Sequence, residues 1–295
     1  MSLTRAHRLP YTPPLDAAAL LDHFTVRAVP GLEAVQAGTY TRSLSLPHGA
    51  AVLVVDLSGA CDALPAELSL ADAADEPAAL ALCRGLFDLD ANPAAVSAAL
   101  GGDPLLGATV RAAPGRRVPG AAGASELAVR AVLGQQISLA GAATAAGRLV
   151  TRCGEPLGEL ARGTVTHRFP SAAALAALDP ETLPMPRARA RSLVTLAAAF
   201  AAGELPLQRG GDPAAARATL LALPGIGPWT ADYVVMRVLG DHDVFLASDL
   251  GVRRALQRAG LPGDPASAGA LAERWSPYRS YAMQYLWGPP VSGPR

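Results

Sequence analysis

The chain has 295 residues, 51% of them hydrophobic and only 17% charged, which is enough for a large core and suggests two or three domains. Lysine is absent, and 25 arginines balance 25 acidic residues. Zero net charge argues against binding nucleic acid by bulk charge alone. The apolar runs, such as "LVTLAAAFAA", are too short to predict a bilayer span.

The charge is unevenly placed. Residues 1–100 carry five arginines against eleven acidic residues, and residues 101–295 carry twenty against fourteen. An acidic front and a basic back suit an anionic partner that meets the later part, although such a split also arises by chance. "MSLTRAHRLPYTPP" lacks the apolar centre of a secretory leader, so a cytoplasmic protein is expected. Cys61, Cys83 and Cys153 are far apart and form no Cys-x-x-Cys or four-cysteine run. Neither zinc nor an iron–sulfur cluster is expected, and the thiols read as reduced and structural.

In chain order, residues 15–29 predict a helix that buries Leu15, Ala19, Leu20, Phe24 and Val26. Strand patterns follow at 39–46, 51–58 and 66–73, with turn residues "PHGA" between the first two. A helix is predicted over 76–89. Strand signals then vanish. A Gly/Pro-rich connector at 101–125 leads into helical patterns at 126–150, 171–178, 187–202, 213–222, 228–239, 249–259 and 268–274, punctuated by Pro and Gly. The front third therefore reads as α+β and the rest as all-α.

Most of the chemistry is concentrated in "LPGIGPWTADYVVMRVLGDHDVFLASD", residues 223–249. Two short helices meet at Pro224-Gly225-Ile226-Gly227. Glycine permits a tight turn with positive φ, and Pro228 suits the first turn of the second helix. Amides near Gly225 and Gly227 at a helix N-terminus can seat an anion such as a phosphate. Leu223 and Ile226 must pack while the glycines stay open. Trp229 and Tyr233 are one turn apart and share a face that Met236 continues, leaving Val234, Val235 and Val238 for the core. Ordinary helix packing also explains the two aromatics. Ser248 reads as a helix N-cap, which puts Asp249 in the first turn, where a carboxylate is favoured; helix-start chemistry alone explains it equally well.

Taken together these blocks resemble the helix-hairpin-helix DNA glycosylases, in the AlkA-type 3-methyladenine DNA glycosylase II branch. The resemblance runs over nearly the whole chain: "PYTPPLDAAALLDHFTVRAVPGLE" and "YTRSLSL" in front, "RGLFDLDANP" (84–93), "RVPGAAGASELAVRAVLGQQIS" (117–138), "MPRARARSL" (185–193), "LPGIGPWTADY" and "ERWSPYRSYAMQYLW" (273–287). It implies an α+β front domain at 1–93, with an antiparallel sheet like that of the TATA-binding protein, followed by an all-α helix-hairpin-helix glycosylase fold. Residues 124–241 would carry the hairpin. Residues 94–123 plus 242–295 would form a second helical domain, with the cleft between the two.

The resemblance also implies the chemistry. A damaged base leaves the duplex and enters a pocket. Asp249 falls on the catalytic aspartate of the branch, in a string that reads "FLASD", with Ser248 replacing a preceding acid. Trp229, Tyr233 and Trp287 fall on pocket aromatics. Gly225, Gly227 and Thr230 fall on the DNA-facing hairpin. In "LGQQIS", Gly134 breaks the helical run and Gln135, Gln136 and Ile137 would project, with Gln136 or Ile137 filling the space of the displaced base. A polar helix face is the alternative there. Carbonyls of Leu221, Leu223 and Ile226 would hold a structural Na+ or K+, and no cofactor is required. Arg187, Arg189 and Arg191 read as solvated or as touching the DNA backbone.

Bifunctional relatives carry a nucleophilic lysine where this chain has Trp229. A monofunctional, monomeric enzyme acting on alkylated bases in double-stranded DNA is therefore expected, with no membrane partner. Two other readings stay open: a non-catalytic helix-hairpin-helix module that binds DNA structure, and a glycosylase for deaminated or oxidised bases.

Overall fold

A computed structural model describes residues 3–59 and 62–288; Cys61 lies outside them. The front is a five-stranded antiparallel sheet: β1 (Leu3–Pro10), β2 (Glu33–Gln36), β3 (Thr39–Ser45), β4 (Ala50–Asp56) and β5 (Ala63–Leu70), in the order β1-β5-β4-β3-β2. Helix α1 (Ala17–Thr25) lies between the first two strands, and α2 (Glu76–Leu86) follows the sheet. Phe24 stacks on Tyr40 at 4.2 Å and meets Phe87 edge-on at 5.4 Å, so three rings centre the core between sheet and helices. The Cys83 thiol is buried in that core, which pushes its pKa up to about 12, and it is free, as is Cys153.

The helical part follows: α3 (Pro93–Leu100), α4 (Gly107–Ala112), α5 (Ala124–Leu133), α6 (Leu139–Cys153), α7 (Ala172–Ala176), α8 (Arg187–Ala201), α9 (Pro213–Leu221), α10 (Pro228–Val234), α11 (Leu250–Arg258), α12 (Pro265–Ala272) and α13 (Arg279–Trp287). One apolar cluster packs α5, α6, α8, α9 and α10, and takes in Val29 and Leu32 from the front. Another runs from Ala91 to Val118 and from Met236 to Leu286, around Trp275. No helix among the described residues is long and apolar enough to cross a membrane.

The expectation of an antiparallel α+β front followed by helices is met. Strands β1 and β2 are additions. β1 is an edge strand with three basic residues, Arg5, His7 and Arg8, and β2 has four residues, so neither shows the alternation of a half-buried strand. α1 is shorter than 15–29: Val26 is 49% exposed, because the chain leaves the helix to bury Val29 in the helical unit instead. α4 lies inside the stretch, 101–125, where a plain connector was expected.

Two polar knots tie the units together. Glu33 accepts from Arg42 Nη1 at 3.0 Å, Arg130 Nη1 at 3.1 Å and the Tyr40 hydroxyl at 3.0 Å, and Glu126 accepts from Arg42 Nη2 at 2.8 Å and Arg130 at 2.8 Å. Asp88, fully buried, accepts from the Val118 amide at 3.0 Å and the Tyr281 hydroxyl at 2.8 Å, which joins the end of the front unit to α13.

Burial pushes the Glu33 carboxyl up, but Arg130 and Arg42 outweigh it and hold it below its ordinary value. Its contribution is therefore complete above the unfolded value of about 4.3 and is lost as pH falls through the lower folded one. Glu33→Ala is expected to cost about 3–5 kcal/mol in denaturant unfolding near neutral pH, since it strands buried guanidiniums. Glu33→Gln should flatten the acid limb of the stability curve below about pH 4.3; an unchanged limb rejects the assignment.

Candidate active site

Helix α10 begins at Gly227, with Pro228 in its first turn, and runs into a π turn, Val235–Leu239, that ends at Gly240 in the left-handed region (φ 73°). The hairpin before it is tight for a specific reason. Gly225 has φ 79°, and a Cβ there would collide with the Ser192 hydroxyl on α8. Gly227 differs: its φ is −90° and a Cβ would meet nothing within 4 Å, so only Gly225 needs positive φ. Ile226 is buried and Leu223 is half-buried, both against the helical core, as the pattern required.

Trp229 and Tyr233 stack, with centroids 5.1 Å apart and planes 6° apart. That spacing leaves no gap for a base between them, so a base would have to lie against their outer faces. Asp249 is itself the N-cap of α11 (φ −62°, ψ 132°), and its Oδ1 accepts from the Val252 amide at 3.0 Å. This corrects the expectation that Ser248 is the cap. Ser248 is exposed, and the carboxylate gains a second function by turning back over the helix start. Trp287, the last residue of α13, donates its indole N–H to Asp249 Oδ1 at 2.8 Å, and Trp229 donates its own to Oδ2 at 3.1 Å.

The ring closes through a residue that the pattern did not single out. Arg237 is one more turn beyond Tyr233, and its guanidinium carbon lies 5.5 Å from the Tyr233 ring centre and 5.7 Å from that of Trp287. Asp249, Trp229, Tyr233, Arg237 and Trp287 therefore form one continuous circuit. The i, i+4, i+8 spacing of Trp229, Tyr233 and Arg237 carried the signal, but an arginine on an otherwise aromatic face reads first as solvated. It is 1% exposed.

A cavity of about 130 Å³ opens beside this circuit, lined by Trp229, Tyr233 and Arg237, by Gly120–Gly123 and Ile137, and by His23, Phe24 and Arg27 of the front unit. Burial pushes the Tyr233 phenol up, but the guanidiniums of Arg237, Arg27 and Arg130 together bring it below its ordinary value. Burial is also the main reason that Arg237 is pushed down to about 10.

The loop after α5 divides in two. Gln135 turns inward, its amide donating to the Gly225 carbonyl at 3.1 Å and to the Thr230 hydroxyl at 3.2 Å. Thr230 is 3% exposed. Through these bonds the half-buried Gln135 and the buried Thr230 brace the hairpin, so Thr230 turns its hydroxyl inward and away from the surface. Gln136, in the left-handed region (φ 60°), is exposed, and so is Ile137 at 43%. Arg187 and Arg191 pair with Glu181 at the surface, at 2.8 and 3.3 Å, and Arg189 is half-buried on the same helix.

Gly251 limits how Trp287 can sit. A Cβ there would stand 2.9 Å from Trp287 Cδ1 and 3.0 Å from Asp249 Oδ1. Gly251→Ala is expected to displace the indole from the carboxylate, seen as a shift of the indole N–H proton resonance of Trp287, with little change in melting temperature. An unmoved resonance would contradict this packing.

The comparisons with known proteins follow the same two-part layout. Residues 6–123 match the AlkA N-terminal domain, and residues 129–279 match the HhH-GPD superfamily base excision DNA repair protein family. The chain is 39% identical over 288 residues to DNA-3-methyladenine glycosylase 2 of Escherichia coli K12, covering 95% of this chain and 96% of that one. It is 47% identical over 280 residues to a Mycobacterium tuberculosis protein described as a probable bifunctional transcriptional activator/DNA repair enzyme AlkA, of which it spans 56% of the length. The solved 3-methyladenine DNA-glycosylase from Archaeoglobus fulgidus has the same fold, with TM-score 0.81 at 23% identity over 95% of this chain and 97% of that one. With its AlkA-type front domain and a repair domain matched through hairpin, aromatic face and Asp249, the chain belongs to the HhH-GPD superfamily of base excision DNA repair proteins.

Proposed function

We propose that this protein is a monofunctional DNA glycosylase that removes alkylated bases, 3-methyladenine and related methylated purines, from double-stranded DNA, acting as a monomer. The observation that carries this reading is the Asp249 carboxylate, fixed by two indole N–H groups beside an aromatic cavity.

Cleavage of an N-glycosidic bond develops positive charge on the sugar. A fixed carboxylate stabilises that charge and orients the attacking water. An alkylated purine is already cationic and a good leaving group, so a single carboxylate is enough. Aromatic faces attract such a base by roughly 0.5–2 kcal/mol each. Trp229 stands where a Schiff-base lysine would have to stand, and the sequence contains no lysine.

The DNA-facing surface in this reading is the open turn at Gly225 and Gly227 with the exposed tip at Gln136 and Ile137. The turn presents main-chain amides to a phosphate, and the tip fills the space of the displaced base. Na+ or K+ held by the carbonyls of Leu221, Leu223 and Ile226 belongs to the same proposal: Leu221 ends α9, the other two lie in the turn before α10, and hard oxygen donors suit such an ion. So does a cleft between the hairpin unit, 124–241, and the unit made of 94–123 and 242–295, which meet where Trp229 bonds Asp249.

A duplex bearing one 3-methyladenine provides the test. Asp249→Asn should keep duplex affinity within a few fold and slow base release about 100-fold or more. Undiminished release would show that Asp249 is a helix cap and no more; no release by the wild type, with binding intact, would favour a non-catalytic DNA-binding module. Borohydride treatment during turnover should trap no covalent protein–DNA adduct, and a trapped adduct would contradict the monofunctional assignment.

A further inference from the structure

The proposed chemistry accounts for the sugar end of the site, at Asp249. It leaves one polar side chain of the cavity without a task. His23, half-buried on α1, lines the cavity and meets Phe24 edge-on at 5.4 Å. Its main-chain carbonyl accepts from Arg27 Nη1 at 3.3 Å. Neither of its ring nitrogens has a hydrogen-bond partner among the described residues, and neither is sealed from solvent.

The other polar side chains of the lining are engaged. Glu33 and Glu126 accept from Arg42 and Arg130. Trp229 donates to Asp249, and Ser138 caps α6. Arg27 and Arg237 both bond the Tyr233 side chain. Indole and guanidinium groups offer no acceptor in any case. The imidazole is therefore the one acceptor side chain left open on this wall among the described residues. It is neutral near neutral pH, because burial, with help from Arg27, Arg237 and Arg130, holds it well below its ordinary value. A neutral imidazole keeps one nitrogen lone pair as an acceptor, whereas the protonated ring has none.

We propose that His23 is a base-recognition residue whose imidazole accepts a hydrogen bond from the exocyclic amino group of a flipped, alkylated adenine. This rests on the glycosylase reading above. The amino group leaves water as it enters the cavity, and an N–H left unpaired there is costly. A neutral acceptor also suits a cationic base, since it adds no positive charge to a wall that already holds guanidiniums. A phenyl ring at the same place would offer an apolar face and no lone pair. The front unit thus supplies a polar contact to the base as well as a wall.

Duplex DNA methylated with dimethyl sulfate carries 3-methyladenine, with an amino group at C6, and 7-methylguanine, with an oxygen at that position. Single-turnover release of both bases is read by chromatography for the wild type, His23→Phe and His23→Gln. His23→Phe should slow 3-methyladenine release about three- to tenfold, the worth of one neutral hydrogen bond, and 7-methylguanine release by less, so the ratio falls. His23→Gln, whose amide oxygen is an acceptor, should recover most of the loss. An unchanged ratio, an equal loss on both bases, or a Gln variant no better than the Phe variant overturns the inference and leaves the proposed function standing. If the wild type leaves 7-methylguanine in place, the Phe and Gln variants compared on 3-methyladenine decide. Thermal melting checks the fold; if His23→Phe does not fold, His23→Leu takes its place. A wild type that releases neither base removes the proposed function together with this inference.

Discussion

The site depends on a single carboxylate held by groups from three places in the chain. Asp249 takes hydrogen bonds from an indole on α10, an indole at the end of α13 and the backbone at the start of α11. Each donor comes with its own packing constraint. Trp229 is fixed by its stack on Tyr233, Trp287 by the absence of a side chain at Gly251, and the amide by the helix itself. The negative charge therefore has little freedom to move, which electrostatic stabilisation of a developing cation requires.

That precision needs a frame, and the frame is polar at its joints. The Glu33–Arg42–Glu126–Arg130 knot fastens β2 and β3 to α5, and Asp88 fastens the segment after α2 to α13. Buried ion pairs add little net stability against well-packed apolar groups, but breaking one partner is expensive. Here they orient the front sheet against the helices that carry the aromatic circuit.

Much of this was legible in the sequence. The hairpin, the shared face of Trp229 and Tyr233 and the helix start at Asp249 all follow from local rules about glycine, helical spacing and caps. What local rules could not give was partnership across the chain. Ser248 looked like the cap because both residues can cap, and only the two distant indoles explain why Asp249 turns that way. The helix break suggested that Gln135 projects, but its amide reaches across to the buried Thr230 hydroxyl. β1 was hidden because an edge strand tolerates charged residues such as Arg5, His7 and Arg8, which interrupt the alternation of a half-buried strand. Arg237 had the right periodicity but the wrong chemistry for a buried face, and its burial depends on rings and a carbonyl contributed by other segments.

The wall that His23, Phe24 and Arg27 contribute to the cavity separates two tasks along the chain. The circuit around Asp249 is built from residues after 228, while part of the cavity wall beside it is encoded two hundred residues earlier. Substitutions around the first helix can therefore reshape the slot while leaving the circuit of Asp249 untouched.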